Sequence, residues 1–236
     1  MNCRRTALAI VFAVAFGASS ASAASLTVNS NTLTTFHTCV LTAISSTSTV
    51  NFDSFVNQAS AAQNNGTTTT MTVNSSGTSK NTRTYIQFDL TQCAPHVPAS
   101  AAIRAATVRL YATAIPSTCR TQYIFPVTAA WTELGIKWNT QVTAWQTTNV
   151  PATAGATSSM SIGTGCATNN AANNYVTGWN VTTDVQGFVN GTGTNNGWMV
   201  RDGTEDSATA ANSTYASSEQ TGGALKGPQL WIDYTT

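Results

Sequence analysis

Arg83 to Leu90 read RTYIQFDL. Tyr85, Gln87 and Asp89 fall on one side of this stretch, and Ile86, Phe88 and Leu90 on the other. A period of two over eight residues belongs to a β-strand with one face on a core. The same alternation returns in ATVRLYAT (106–113), where Val108 and Leu110 oppose Arg109 and Tyr111, and in PQLWIDY (228–234), where Leu230 and Ile232 oppose Trp231 and Asp233. TTTTMTV (67–73), rich in β-branched residues, QYIFPVT (122–128), GWMVRD (197–202) and STYASSE (213–219) read as further strands. Turn chemistry separates them: Asn64-Asn65-Gly66, Gly77 to Asn81, IPSTC (115–119) and the Gly191–Gly197 stretch. Many short strands with frequent turns predict an all-β chain folded as an antiparallel jelly-roll β-sandwich. A short helical turn over Asp184, Val185, Phe188 and Val189 is the one helical expectation. Residues 146–174 read as a long loop or a weak edge strand.

The stretch that resists this pattern is AAWTELGIKWNTQVTAW (129–145), with Trp131, Trp138 and Trp145 seven residues apart. A helix would put the three indoles on one face, whereas a strand would flip them between faces. Gly135 and the β-branched Thr, Ile and Val content speak against a helix. The expected layout is a turn from Thr132, then a short IKWN strand carrying Trp138, with Asn139 bonding loop backbone. Trp131 and Trp138 then anchor a sandwich edge, and Trp145 is left beside the variable loop.

Composition narrows the functions. Residues 1–23 have a basic start at Arg4 and Arg5, an apolar run from Ala7 to Phe16, and Ala21-Ser22-Ala23 as a small-x-small site. They read as a secretory signal peptide, with an extracellular or cell-surface destination. The apolar run is too short for a transmembrane span. Without Arg4 and Arg5, eight basic residues face nine acidic ones. No basic patch marks a nucleic-acid partner. Cys39, Cys93, Cys119 and Cys166 form an even set in an exported chain and imply disulfides. Three pairings are open; Cys39–Cys93 with Cys119–Cys166 is preferred.

RTYIQFDL, ATVRLYAT, VTAAWTELGIKWNTQ, WNVTTDVQGFVNGTGTNNGWMVRD, TYASSE and PQLWIDY, in that order, resemble the DNRLRE-type domain. That domain overlaps a polysaccharide-binding (carbohydrate-binding module) family found in polysaccharide lyases and surface proteins. The resemblance covers residues 48–236, leaving 24–47 as an N-terminal polar strand segment. It implies a jelly-roll sandwich and a mostly non-catalytic module, some of whose relatives bind acidic polysaccharides such as alginate.

No G-x-S-x-G, metal-protease or paired-carboxylate motif accompanies the strands, and His37 and His96 have no evident partner. The chain is therefore read as no enzyme. Its expected partner is polysaccharide. Tyr111, Tyr123, Trp179, Trp198 and Trp231 offer stacking faces, though aromatic side chains also pack sheets together. Trp145, Trp179, Tyr111 and Tyr123 are the residues expected at the ligand. RDGTED (201–206) offers Asp202, Glu205 and Asp206 to a hard cation such as Ca²⁺; the alternative is a solvated acidic loop. Asp89 and Arg109 stand where a cross-strand ion pair would form. The second functional reading is a structural subunit of a filament or matrix that binds copies of itself. In it SLTVNSNTLTTF (25–36), if unpaired at home, completes a neighbour's sheet.

Overall fold

The computed structural model describes residues 25–29, 32–43, 51–141, 155–167, 170–220 and 226–236. Among them fourteen strands form two antiparallel sheets stacked as a jelly-roll sandwich. The strands are β1 (Ser25–Asn29), β2 (Thr32–Thr42), β3 (Phe52–Asn57), β4 (Thr70–Ser75), β5 (Thr82–Gln87), β6 (Ala102–Arg109) and β7 (Tyr111–Ala114). They continue with β8 (Arg120–Pro126), β9 (Ser158–Ile162), β10 (Asn174–Tyr175), β11 (Trp179–Asn180), β12 (Trp198–Asp202), β13 (Ala211–Ala216) and β14 (Gln229–Thr235). One helix, α1 (Thr182–Val189), follows β11. The smaller sheet runs β1-β2-β14-β6-β11. The larger runs β10-β7-β13-β4-β5-β12-β8-β9, with β3 also paired to β5.

ATVRLYAT is not one strand. β6 ends at Arg109 in the smaller sheet and β7 starts at Tyr111 in the larger one. Leu110, fully buried, is the hinge at which the chain crosses the core. Alternation cannot show such a crossing, because the apolar positions stay in phase through it. FDSFVN, not expected as a strand, is β3, and the two-residue β10 and β11 were not expected either. Within the stretch read as a loop or weak edge strand, SSMSI is β9, an edge strand paired to β8 from Ser158↔Ile124 to Ile162↔Arg120. The helical turn over Asp184 to Val189 is present and is extended to eight residues.

The main core lies between the sheets. Ile86, Val108, Leu110, Ile124, Trp179, Trp198, Val200, Leu230 and Ile232 meet there, all fully buried. A second core lies on the outer face of the larger sheet. Tyr85, Phe125 and Met199 point away from the main core and are covered by residues 129–141, which bring Ile136 and Trp138 down onto them. Burying them from both sides makes β5 fully buried from Thr82 to Ile86, not half-buried as its alternation predicts. The expected IKWN strand is a 3₁₀ turn over Trp138–Thr140. Thr140 Oγ1 accepts from Lys137 N at 2.9 Å, which closes the turn on itself. Trp131 stands edge-on to Phe52 and Tyr85, with ring centroids 4.9 and 5.5 Å away, and donates its indole N–H to Asn196 O at 2.8 Å. The flap is tied down by Asn64, whose Nδ2 donates to Glu133 O (2.7 Å) and Ile136 O (2.9 Å). Trp131 and Trp138 are thus packing anchors, as expected. Trp145 lies outside the described residues.

The preferred disulfides are the ones formed: Cys39–Cys93 and Cys119–Cys166. The first ties β2 to the segment before β6, and the second ties the start of β8 to the end of the β9 turn. SLTVNSNTLTTF forms the β1–β2 hairpin, paired from Ser25↔Phe36 to Asn29↔Thr32, and β2 in turn pairs along β14. The segment therefore finds a partner in its own domain, so the condition set for strand donation is not met. Among the described residues no helix is long and apolar enough to cross a membrane.

Candidate functional site

β14 is a central strand of the smaller sheet, and its side chains alternate strictly: Leu230, Ile232 and Tyr234 enter the core while Trp231 and Asp233 face out. The outer face is open. Directly paired residues of antiparallel strands share a face, so register places Val40, Trp231, Thr107 and Asn180 in one row, and Thr42, Gln229 and Arg109 in the next. Trp231 is 40% exposed and, apart from Leu134, is the only large hydrophobic side chain among the described residues that is exposed. Its Nε1 donates to Gln229 Oε1 at 2.9 Å, which fixes the indole over the sheet.

A row of alternating rings and cations runs from Trp231 to the sheet end. The Arg109 guanidinium lies between two rings, 5.6 Å from the Trp231 centroid and 5.5 Å from that of Tyr175. Arg109 Nε donates to Val176 O at 3.2 Å, which holds the side chain in this slot. Tyr175 meets Tyr111 edge to face at 5.4 Å, and the Lys226 ammonium stands 4.9 Å from the Tyr111 centroid. Both phenols are pinned: Tyr111 donates to Asn173 O (2.7 Å) and Tyr175 to Gly227 O (2.9 Å). Burial pushes the Tyr175 hydroxyl up to about 12, with Arg109 pulling the other way, so it stays a neutral donor. Gly178 makes the approach possible. It sits at φ +97°, and a Cβ there would come 2.5 Å from Val108 O and 2.9 Å from Arg109 Cγ.

Neither Arg109 nor Lys226 forms an ion pair among the described residues. Asp89, the expected partner of Arg109, instead caps the turn that follows it, accepting from Thr91 N at 2.9 Å and from Thr91 Oγ1 at 2.7 Å. The face thus offers flat apolar surface and uncompensated positive charge side by side. Such a surface takes the apolar face of a sugar ring by stacking and its hydroxyls or carboxylates by charge-assisted hydrogen bonds.

Of the residues expected at the ligand, Tyr111 is in this row. Trp179 is not available: it is fully buried in the main core and its Nε1 donates to Gln122 O at 3.1 Å. Tyr123 lies elsewhere, beside a recess of about 290 Å³ with Arg120 and Gly203, on the far sheet. Arg109, Tyr175 and Lys226 were not singled out as ligand residues, and Trp231 was named as a stacking face but left out of the expected ligand set. For Trp231 the signal was present, because it shares its face of PQLWIDY with Asp233, a residue that seeks water.

RDGTED does not gather its carboxylates around one point. Glu205 takes a bidentate fork from Arg83, with Nε–Oε1 and Nη2–Oε2 both at 2.7 Å, and Oε2 also accepts from Arg201 Nη1 at 3.2 Å. Asp202 pairs with Arg120 at 2.5 Å. Asp206 accepts from Ser79 N at 3.0 Å and Asn81 Nδ2 at 2.8 Å. The three acids serve as counter-charges and turn acceptors for three separate groups. Among the described residues no set of three His, Cys, Asp or Glu side chains is placed to hold a metal ion.

A separate acidic cluster surrounds Asp53, which is 1% exposed. Its Oδ2 accepts from Ser218 N at 2.8 Å, while Oδ1 and Glu219 Oε2 are buried with no partner. Burial first, and then the neighbouring Glu219, push Asp53 well above the ordinary carboxylate range. Burial also lifts Glu133, which accepts from Asp53 N at 3.3 Å, to about 7. The Asp53 N–H to Glu133 bond ties the flap to β3.

The chain has no match among curated proteins. Residues 44–234 match the model of carbohydrate-binding module family 96. The chain belongs to that family and is a non-catalytic carbohydrate-binding module.

Proposed function

We propose that the protein binds an acidic polysaccharide along the outer face of the smaller sheet, with a sugar ring on Trp231 and the chain continuing past Arg109 and Tyr175 towards Tyr111 and Lys226. The observation that carries this reading is the Arg109 guanidinium held beside the exposed Trp231 ring and the half-buried Tyr175 ring, with no carboxylate partner among the described residues. A cation kept next to a stacking platform favours a uronate over a neutral sugar. Stacking and cation–π contacts at exposed sites are worth about 0.5–1 kcal/mol each, so several rings must act together for useful affinity. Export by the leader at 1–23 and the two disulfides fit a module that works outside the cell.

Affinity electrophoresis through gels cast with alginate, polygalacturonate or a neutral β-glucan tests this. Retardation by a polyuronate that weakens with added salt supports it; equal migration in every gel overturns it. With β1 paired to β2, the filament reading loses the free strand it invoked for assembly.

A further inference from the structure

A pocket of about 410 Å³ opens beside α1, bounded by the end of β8 (Pro126), Val127 and Thr128, and the turn from Thr192 to Asn196. We propose that it is a second and independent ligand site, one that takes a single neutral sugar ring.

Four observations support this. First, the volume falls in the range of small-ligand sites, near its lower end. Second, one wall is the half-buried ring of Phe188, which packs on Trp198 with centroids 5.5 Å apart and so has a fixed orientation. Third, Asp184 is held as an acceptor on the wall. Its Oδ2 takes the Trp198 indole N–H at 2.8 Å and the Thr157 hydroxyl at 2.6 Å, and Oδ1 has no hydrogen-bond partner among the described residues. Fourth, Asn196 lines the pocket, and its side-chain amide has no hydrogen-bond partner among the described residues, which leaves it to water or a ligand.

A fixed carboxylate, an amide and the rim hydroxyls of Thr128, Thr183, Thr192 and Thr194 match the adjacent hydroxyls of a pyranose, and Phe188 meets its C–H face. Among the described residues no Lys, Arg or His lines the pocket. A uronate would therefore meet Asp184 with nothing to offset the repulsion. This is the reverse of the Trp231 face. The two lie towards opposite ends of β6: α1 is bonded to its first half through Gln186 Oε1, which accepts from Ile103 N at 2.8 Å, whereas Arg109 closes its second half.

The test is a ¹H–¹⁵N titration of the intact protein with the methyl glycosides of glucose, galactose and mannose, and with glucuronate, each to about 50 mM, where a site of millimolar Kd saturates. The Trp198 indole N–H reports on Asp184. The expected result is a saturable shift with at least one neutral glycoside and a weaker one with glucuronate. Gly193→Leu should block the pocket and weaken binding at least about tenfold. A Cβ at Gly193 meets Phe188 at an ordinary 3.5 Å, so the backbone tolerates the change. Trp231→Ala should leave this titration unchanged. The proposal is overturned by no saturable shift with any neutral glycoside, by shifts that persist in Gly193→Leu, or by shifts lost in Trp231→Ala. The last result would assign the binding to the sheet face, and polyuronate retardation in gels is independent of all three.

Discussion

Replacing Glu205 by Gln keeps shape and removes one charge, and it separates two roles for the RDGTED loop. In the structure Glu205 neutralises two arginines under the flap. The side chains of Arg83, Arg201 and Glu205 are 0%, 2% and 3% exposed, and the Arg83 guanidinium also lies 4.4 Å from the Trp138 ring. Desolvation already draws Arg201 below the usual arginine range, with Glu205 as the main opposing influence. Removing one partner of a buried ion pair costs about 3–5 kcal/mol. For a domain of this size each kcal/mol is about 2–4 °C of melting temperature, so Glu205→Gln should melt roughly 6–20 °C lower. Differential scanning calorimetry at neutral pH is the assay, with EDTA and Ca²⁺ arms. The parent should be insensitive to EDTA. Replacing Arg83, Arg201 and Glu205 together by apolar residues of similar size should recover most of the loss, since apolar isosteres often match a buried ionic group. A melting temperature for Glu205→Gln within a degree or two of the parent would refute the counter-charge role. So would a parent that EDTA destabilises as much as the mutation does.

Three other outcomes follow from the same structure. Burial raises Glu133 from the ordinary 4.5 to about 7 in the folded protein; a raised carboxylate favours folding fully below the lower value and loses that contribution as pH rises to the upper one. Stability should therefore fall between about pH 4.5 and 7 by about 1–2 kcal/mol after discounting for solvent, with Asp53 adding in the same direction; urea melts at several pH values should show this slope, flattened in Glu133→Gln. Trp138→Ala opens the second core beneath the flap and should cost about 3–5 kcal/mol, read from the shift of the urea midpoint, while exposed Leu134→Ser should cost under about 0.5 kcal/mol. Replacing both Cys119 and Cys166 by Ala frees a closed loop spanning 47 positions, and should cost about 2–5 kcal/mol by chemical denaturation.

Much of this fold is legible in short phrases. PQLWIDY states its own orientation, because two aliphatic residues alternate with an indole and a carboxylate, and the structure keeps that order. RTYIQFDL gave the strand but not its second covering. Nothing inside it says that Tyr85 and Arg83 will be roofed by a segment some fifty residues later; that depends on Asn64 holding the flap's carbonyls, a long-range fact. The crossing at Leu110 is hidden for a similar reason, since both sheets want the same apolar phase. The site was less legible. Asp202, Glu205 and Asp206 in one loop look like a ligand set until their partners are seen, and Arg120, Arg83 and the Ser79–Asn81 turn lie far from that loop in the sequence. Trp179 looked like a stacking residue, and its neighbours Val108 and Tyr215 make it core. Arg109 looked like half of an ion pair and became the cation between two rings.

We propose the Trp231–Arg109–Tyr175 row as the carbohydrate-binding surface. Isothermal titration calorimetry of polyuronate oligosaccharides against the parent, Trp231→Ala and Arg109→Gln tests it most directly, with melting temperatures confirming that each variant is folded. Trp231 is exposed and Arg109 lies at the strand end, so both variants should keep the fold. The parent should bind, with a Kd about two- to fivefold weaker in Trp231→Ala (about 0.5–1 kcal/mol) and at least about tenfold weaker in Arg109→Gln, where charge-assisted bonds are lost. Parent-like affinity in both variants would contradict the proposal.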